Sequence, residues 1–141
     1  MSFKFKYSLN GATPVYEKVP AGAVAVSAQA VVYNSSGYAI DTSVPTTVTI
    51  IGVNENAVDN SGGAAGDLNL NVIVSPDAVY EIDTGDTMAQ AQVWKIVAVV
   101  AGGLTVTSNT AVTDTTGVVR LRKFVSASKA YGNLYFTGEL A

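Results

Sequence analysis
The stretch Val24-Ala25-Val26-Ser27-Ala28-Gln29-Ala30-Val31-Val32-Tyr33-Asn34-Ser35-Ser36-Gly37-Tyr38-Ala39-Ile40 decides the fold class. Its apolar residues run up to Asn34-Ser35-Ser36-Gly37 and resume after it, so it reads as a strand over 24–33, a tight turn, and a strand over 38–40. Gly37 supplies the positive φ that such a turn demands. Short runs rich in Val, Ile, Thr and Tyr, broken by Gly, Asn, Asp and Ser, continue on both sides of this hairpin.

Downstream, a strand is expected over 46–53, followed by the flexible loop Asn60-Ser61-Gly62-Gly63-Ala64-Ala65-Gly66. Leu68 to Val74 begins with clean alternation and is stopped by Pro76, which cannot donate to a ladder. Ala78 to Ile82 leads into Asp83-Thr84-Gly85-Asp86, which has the chemistry of a hairpin turn. Met88 to Gln92 has helix-forming composition for one turn at most. Trp94–Val100 and Leu104–Ser108 flank Ala101-Gly102-Gly103 as a second hairpin, with Trp94 read as core. Gly117–Val125 and Asn133–Gly138 complete the set. The expected fold is all-β: a small β-sandwich or barrel of about 8–10 short strands with at most one short helix.

Upstream, Phe3, Phe5, Tyr7 and Leu9 alternate with Lys4, Lys6 and Ser8, giving one aromatic and one basic face. Residues 1–10 read either as an N-terminal arm that adds to a partner's sheet or as the first strand of the domain's own sandwich. We take the arm, with 11–141 as a single β domain, because no repeat or linker marks a second unit. No apolar stretch near Met1 matches a cleaved leader, and no apolar run approaches the roughly 18 residues needed to cross a bilayer, so a soluble protein made in the cytoplasm is expected.

Of the 141 residues, 48% are apolar and 13% charged, and there is neither Cys nor His. Disulfides, thiolate nucleophiles and Cys/His metal sites are therefore excluded. Charge is segregated: residues 1–18 carry a net +2, residues 19–94 carry −8 without a single Lys or Arg, and residues 95–141 carry +3. Such blocks either meet in a neutral fold or persist as poles that orient the domain between partners. An acidic chain of pI ≈ 4.7 does not suit nucleic acid.

Three motifs invite a chemical reading. Asp83-Thr84-Gly85 spells the aspartic-protease triplet, but Asp86 follows it, and Ile50-Ile51-Gly52, the one match to the second signature, stands in the wrong order. We read the triplet as turn chemistry and expect no catalytic residue. Asp59, Asn60, Asp67 and Asn69 offer oxygens for calcium in a spacing that fits no EF-hand, and we expect an ordinary loop and no metal or cofactor. Arg120 and Arg122, with Lys123 beside them, alternate with Val119 and Leu121, as in a half-buried strand with a cationic outer face.

Three segments together resemble the head decoration, or capsid cement, proteins of tailed bacteriophages. They are Val19-Pro20-Ala21-Gly22-Ala23-Val24, Val31 to Ala39, and Ile51-Gly52-Val53-Asn54-Glu55-Asn56-Ala57-Val58. The resemblance spans about residues 19–125 as a texture and offers no active-site residues to carry over. It implies a non-enzymatic virion protein on the capsid surface, partnered by the major capsid protein, commonly trimeric, with no small-molecule substrate, nucleic acid or membrane. The alternatives are a phage tail, fibre or pilus-like subunit and, third, a protease-like homodimer using Asp83. On the decoration reading, Phe3, Lys4, Phe5, Lys6, Tyr7, Arg120 and Arg122 are the expected capsid contacts.

Overall fold
In a computed structural model, which describes residues 3–42, 49–100, 102–107 and 118–134, the hairpin that decided the fold class forms around a two-residue turn. Ser35 pairs with Tyr38, Ser36 and Gly37 both take positive φ, and the Gly37 N–H donates to Asn34 Oδ1 at 2.8 Å. Two successive positive φ values define the turn whose twist matches its strands.

Thirteen strands are described: β1 (Phe3–Ser8), β2 (Tyr16–Pro20), β3 (Ala25–Val26), β4 (Val31–Ser35), β5 (Tyr38–Ile40), β6 (Ile50–Asn54), β7 (Val58–Asp59), β8 (Asn69–Ile73), β9 (Ala78–Thr84), β10 (Ile96–Val97), β11 (Thr105–Val106), β12 (Val119–Ser126) and β13 (Lys129–Leu134). Nine have three or more residues, and one turn of 3-10 helix covers Gln90–Gln92, so the all-β expectation holds. Parts of four expected strands, 46–48, Ser108, Gly117 and 135–138, lie outside the described residues, as does Ala101 of the second hairpin turn.

The first sheet has the order β1-β9-β13-β12-β10, with β11 running parallel to the end of β9. A second sheet has the order β2-β8-β6-β4-β5, and β3 pairs with β7 alone. Alternation along the second sheet sends its side chains into two cores. Val31, Val53 and Ile73 join Phe3, Tyr80, Ile82, Leu121 and Leu134 of the first sheet. Their neighbours Val32, Leu70 and Val72 pack instead with Ala21, Val26 and Ala39. A parallel bridge from Ala21 to Ala39 closes the second sheet's two edges on each other, and the Gly22 N–H donates to the Ala39 carbonyl at 3.0 Å. The fold thus combines a sandwich with a curled sheet. Each large side chain buried between the layers contributes about 1.5–3 kcal/mol.

Several local expectations are corrected. The 24–33 run is two strands, because Gln29 turns left-handed at φ 61 and its N–H crosses to the Asn54 carbonyl. Asp83 and Thr84 belong to β9, paired with Lys129 and β11, and the bend falls at Gly85 and Asp86. The second glycine turn does form, with Val99 bridged to Val106, but its outgoing arm then joins β9. Residues 3–8 are an edge strand of the first sheet, hydrogen-bonded along β9, so the arm reading gives way to the own-sandwich reading. Phe3 is 1% exposed, and both Phe3 and Phe5 meet Tyr80 edge-on at 6.1 and 6.3 Å between ring centroids. Their rings belong to this chain's core and are withdrawn as capsid contacts.

Candidate docking face
The register of the first sheet determines what it shows to solvent. Lys4 lies opposite Glu81, Tyr131 opposite both Glu81 and Lys123, Lys129 opposite Asp83, and Arg120 opposite Asn133. These positions alternate with the core residues Phe3, Ala130, Leu121 and Ile82, so they share the outer face. Bulges at Phe5/Tyr7 and Leu121/Lys123 each insert one residue, which adds Lys6 and Arg122 to that face. Lys6 accordingly meets Glu81 at 3.7 Å, and Arg122 Nε donates to Asn133 Oδ1 at 2.6 Å.

Lys4, Lys6, Arg120, Arg122, Lys123 and Lys129 are six of the chain's eight Lys and Arg. Among the described residues of the face Glu81 and Asp83 oppose them, a local excess of four positive charges on a chain of net charge −3. The basic blocks at the two ends of the sequence therefore converge as a pole. Strands β1 and β12 stand three ladder steps apart, about 14 Å, and the face between them carries aromatic rings. Tyr7 contacts Tyr131 edge-on at 6.4 Å, Lys123 Nζ sits 5.6 Å from the Tyr131 centroid, and the Arg122 guanidinium carbon sits 5.5 Å from that of Trp94.

Trp94 is the largest departure from expectation. Read as core, it is 58% exposed, with φ 75, a region that bulky L-residues rarely enter. Two hydrogen bonds hold it there: its own N–H to the Leu121 carbonyl at 2.7 Å, and the Leu121 N–H to the Lys95 carbonyl at 3.0 Å. The ring therefore stands at the margin of the face beside β12.

The electrostatics of Asp83 follow from its place in the sheet. Burial opposes its charge, but neighbouring cations, Lys129 Nζ with its 2.6 Å hydrogen bond among them, together outweigh it and hold the carboxyl below the usual range. Glu81 lies 3.9 Å from the same Nζ. A protease dyad needs a carboxylate that shares a proton with a second one; this carboxylate is engaged by a lysine.

The Asp59–Asn69 loop is occupied with its own construction. Asp59 Oδ1 accepts from the Ser61 N–H and hydroxyl, and Asp67 Oδ2 accepts from the Ala64 N–H. Buried Asn60 donates its amide to the Gly22 and Ala64 carbonyls, fastening the loop over the closure of the curled sheet.

Of the residues singled out in the sequence, Lys4, Lys6, Tyr7, Arg120 and Arg122 share one face, and Phe3 and Phe5 lie beneath it. Lys123, Lys129, Tyr131, Asn133 and Trp94 complete it. The alternation Lys129-Ala130-Tyr131-Gly132-Asn133 carries a readable strand signal, whereas nothing in the sequence announces the backbone of Trp94. No family model, curated protein or solved structure matches this chain.

Proposed function
We propose that this chain is a non-enzymatic structural protein that docks through the outer face of its first sheet onto an acidic surface of the major capsid protein, decorating an expanded phage head. One observation carries the reading: six of eight cations, interleaved with Tyr7, Tyr131 and Trp94, share the outer face of one sheet on an otherwise acidic molecule. Aromatic and Arg side chains are the groups that dominate binding energy at protein interfaces. A positive face on a negative body also orients the molecule during encounter, which raises the association rate. The capsid as partner is what the resemblance of residues 19–125 adds, together with a homotrimeric state on the shell.

The mechanism is mass action. A ligand that binds only the expanded shell stabilises it by about 2.7 kcal/mol per site at a free concentration of 100 times Kd, without any chemical step. Co-sedimentation of the purified chain with empty expanded heads tests this. Saturable binding that weakens steeply between about 0.05 and 0.5 M salt is expected from a charged face. Heads that bind nothing at low salt would end the proposal.

A further inference from the structure
Beside Arg122 the docking face is indented. A pocket of about 190 Å³ is lined by Arg120 and Arg122 of β12, Asn133 and Leu134 of β13, and Leu9 and Asp77 of the neighbouring loops. We propose that this pocket is the specificity site of the face and receives a single Asp or Glu side chain of the acidic partner, a reading that rests on the docking function above.

Arg122 is the reason. Its Nε is occupied by Asn133 Oδ1 and its guanidinium carbon lies 5.5 Å from the Trp94 ring centroid, so the group is already positioned by two neighbours. Among the described residues no carboxylate pairs with it, which leaves both terminal nitrogens to offer a fork of N–H donors. A planar fork of that kind matches a carboxylate with two parallel hydrogen bonds, and fixing it beforehand lowers the entropy lost on binding. Arg120 on the same wall adds a second positive charge. Leu9 contributes an apolar wall for the methylenes of the incoming side chain, and the volume leaves room for one acidic side chain.

The strained backbone of Trp94 supports the same assignment. A bulky residue at positive φ is retained where its neighbours force it, and such sites cluster where ligands bind. Here the backbone keeps an exposed indole 5.5 Å from the guanidinium carbon, where the ring face attracts the cation and helps hold it at the pocket. Charge complementarity selects the occupant: among the described residues the surrounding face is positive by four, and by three with Asp77 of the pocket wall counted, so an acidic segment gains from the whole field and a neutral one does not.

Trp94 is the chain's one tryptophan, so its fluorescence reports on this pocket directly. The probe is a terminally blocked tetraglutamate peptide titrated against the full chain at low salt, with a blocked tetraglutamine peptide as control. A saturable change in Trp94 emission with the glutamate peptide only is expected. Arg122→Lys, which keeps the charge but loses the fork, is expected to weaken binding about tenfold, and Arg122→Gln to weaken it further, with thermal melts confirming that both fold. A change equal for both peptides, or one insensitive to Arg122→Lys, overturns the pocket. Tighter binding of a single-stranded oligonucleotide overturns the choice of a carboxylate. Salt-sensitive self-association that depends on Arg122 overturns the choice of a second protein as occupant. A Lys4→Glu/Lys123→Glu variant separates the two levels. If that variant loses heads while Arg122→Lys binds heads and peptide normally, the pocket is wrong and the docking face stands.

Discussion

Replacing Gly52 with alanine should cripple the fold even though its backbone is one that alanine adopts freely. Gly52 lies in β6 between Val32 of β4 and the end of β8, where the β6–β8 ladder holds only the pairs Val53 with Ile73 and Asn54 with Val72. A Cβ on Gly52 would press into the Ile73 carbonyl oxygen and stand 2.9 Å from Val72 Cγ1. The first obstacle is backbone, so a rotamer change cannot remove it. Overpacking of a tight core costs about 1–3 kcal/mol, and pushing β8 away also weakens a ladder hydrogen bond worth about 1 kcal/mol. We expect about 3 kcal/mol in all, or roughly 10 °C in Tm for a domain of this size. Two other glycines calibrate the argument. At Gly22 the added methyl would meet Ile40 Cγ2 at 2.5 Å, the movable end of a side chain, so the loss should stay near 1 kcal/mol. At Gly62 nothing lies within 4 Å, and alanine should stabilise by about 0.4–1 kcal/mol through the unfolded chain. Urea unfolding followed by circular dichroism, with unchanged m-values, gives the ranking. A Gly52→Ala protein within about 1 kcal/mol of the parent, or one more stable than Gly62→Ala, would refute the packing of β6 against β8.

Three further outcomes are expected. The buried Tyr80 hydroxyl has no hydrogen-bond partner among the described residues, so Tyr80→Phe should stabilise by up to about 1–2 kcal/mol in urea unfolding; a loss of that size would mean the hydroxyl is engaged. Because Asp83's folded pKa lies below its unfolded value, its stabilising contribution is present above about pH 4 and disappears as pH falls through the folded pKa, so melts of Asp83→Asn should show a shallower acid limb than the parent. Asp41 has the opposite sign: burial outweighs its backbone hydrogen bonds and raises its pKa, so its carboxylate costs stability at neutral pH. Asp41→Asn should therefore match or exceed the parent at pH 7, with the advantage shrinking as the medium is acidified.

What the sequence made legible was the part governed by alternation and turn chemistry. The Ser36-Gly37 turn, the Leu70/Val72 stripe and the short helical turn before Trp94 all depend on neighbours within a few residues, and all are found. Strand β2 was missed because Tyr16, Glu17 and Lys18 are all exposed on a sheet edge, so no buried face imposes a period. The destination of Phe3 and Phe5 was open because an apolar stripe looks the same whether its core lies in its own chain or a partner's. The docking face was half visible. Lys4, Lys6, Arg120 and Arg122 were evident as cations on alternating strands, but their convergence depends on β9 and β13 lying between β1 and β12, a long-range order that local pattern does not encode. Trp94 was misread because average burial of tryptophan says nothing about a left-handed backbone held from Leu121.

Docking by the cationic face is tested most directly by moving the same charge change to and from that face. Lys4→Glu/Lys123→Glu alters two exposed lysines that make no salt bridge among the described residues, whereas Lys18→Glu alters an exposed lysine on β2 of the other sheet. Binding of each to empty expanded heads, measured by co-sedimentation at low salt, is predicted to fall at least tenfold per reversed charge on the face, about 1.4 kcal/mol each, and to remain at the parent level for Lys18→Glu. Heads that retain the Lys4→Glu/Lys123→Glu protein, or lose Lys18→Glu equally, would contradict the account.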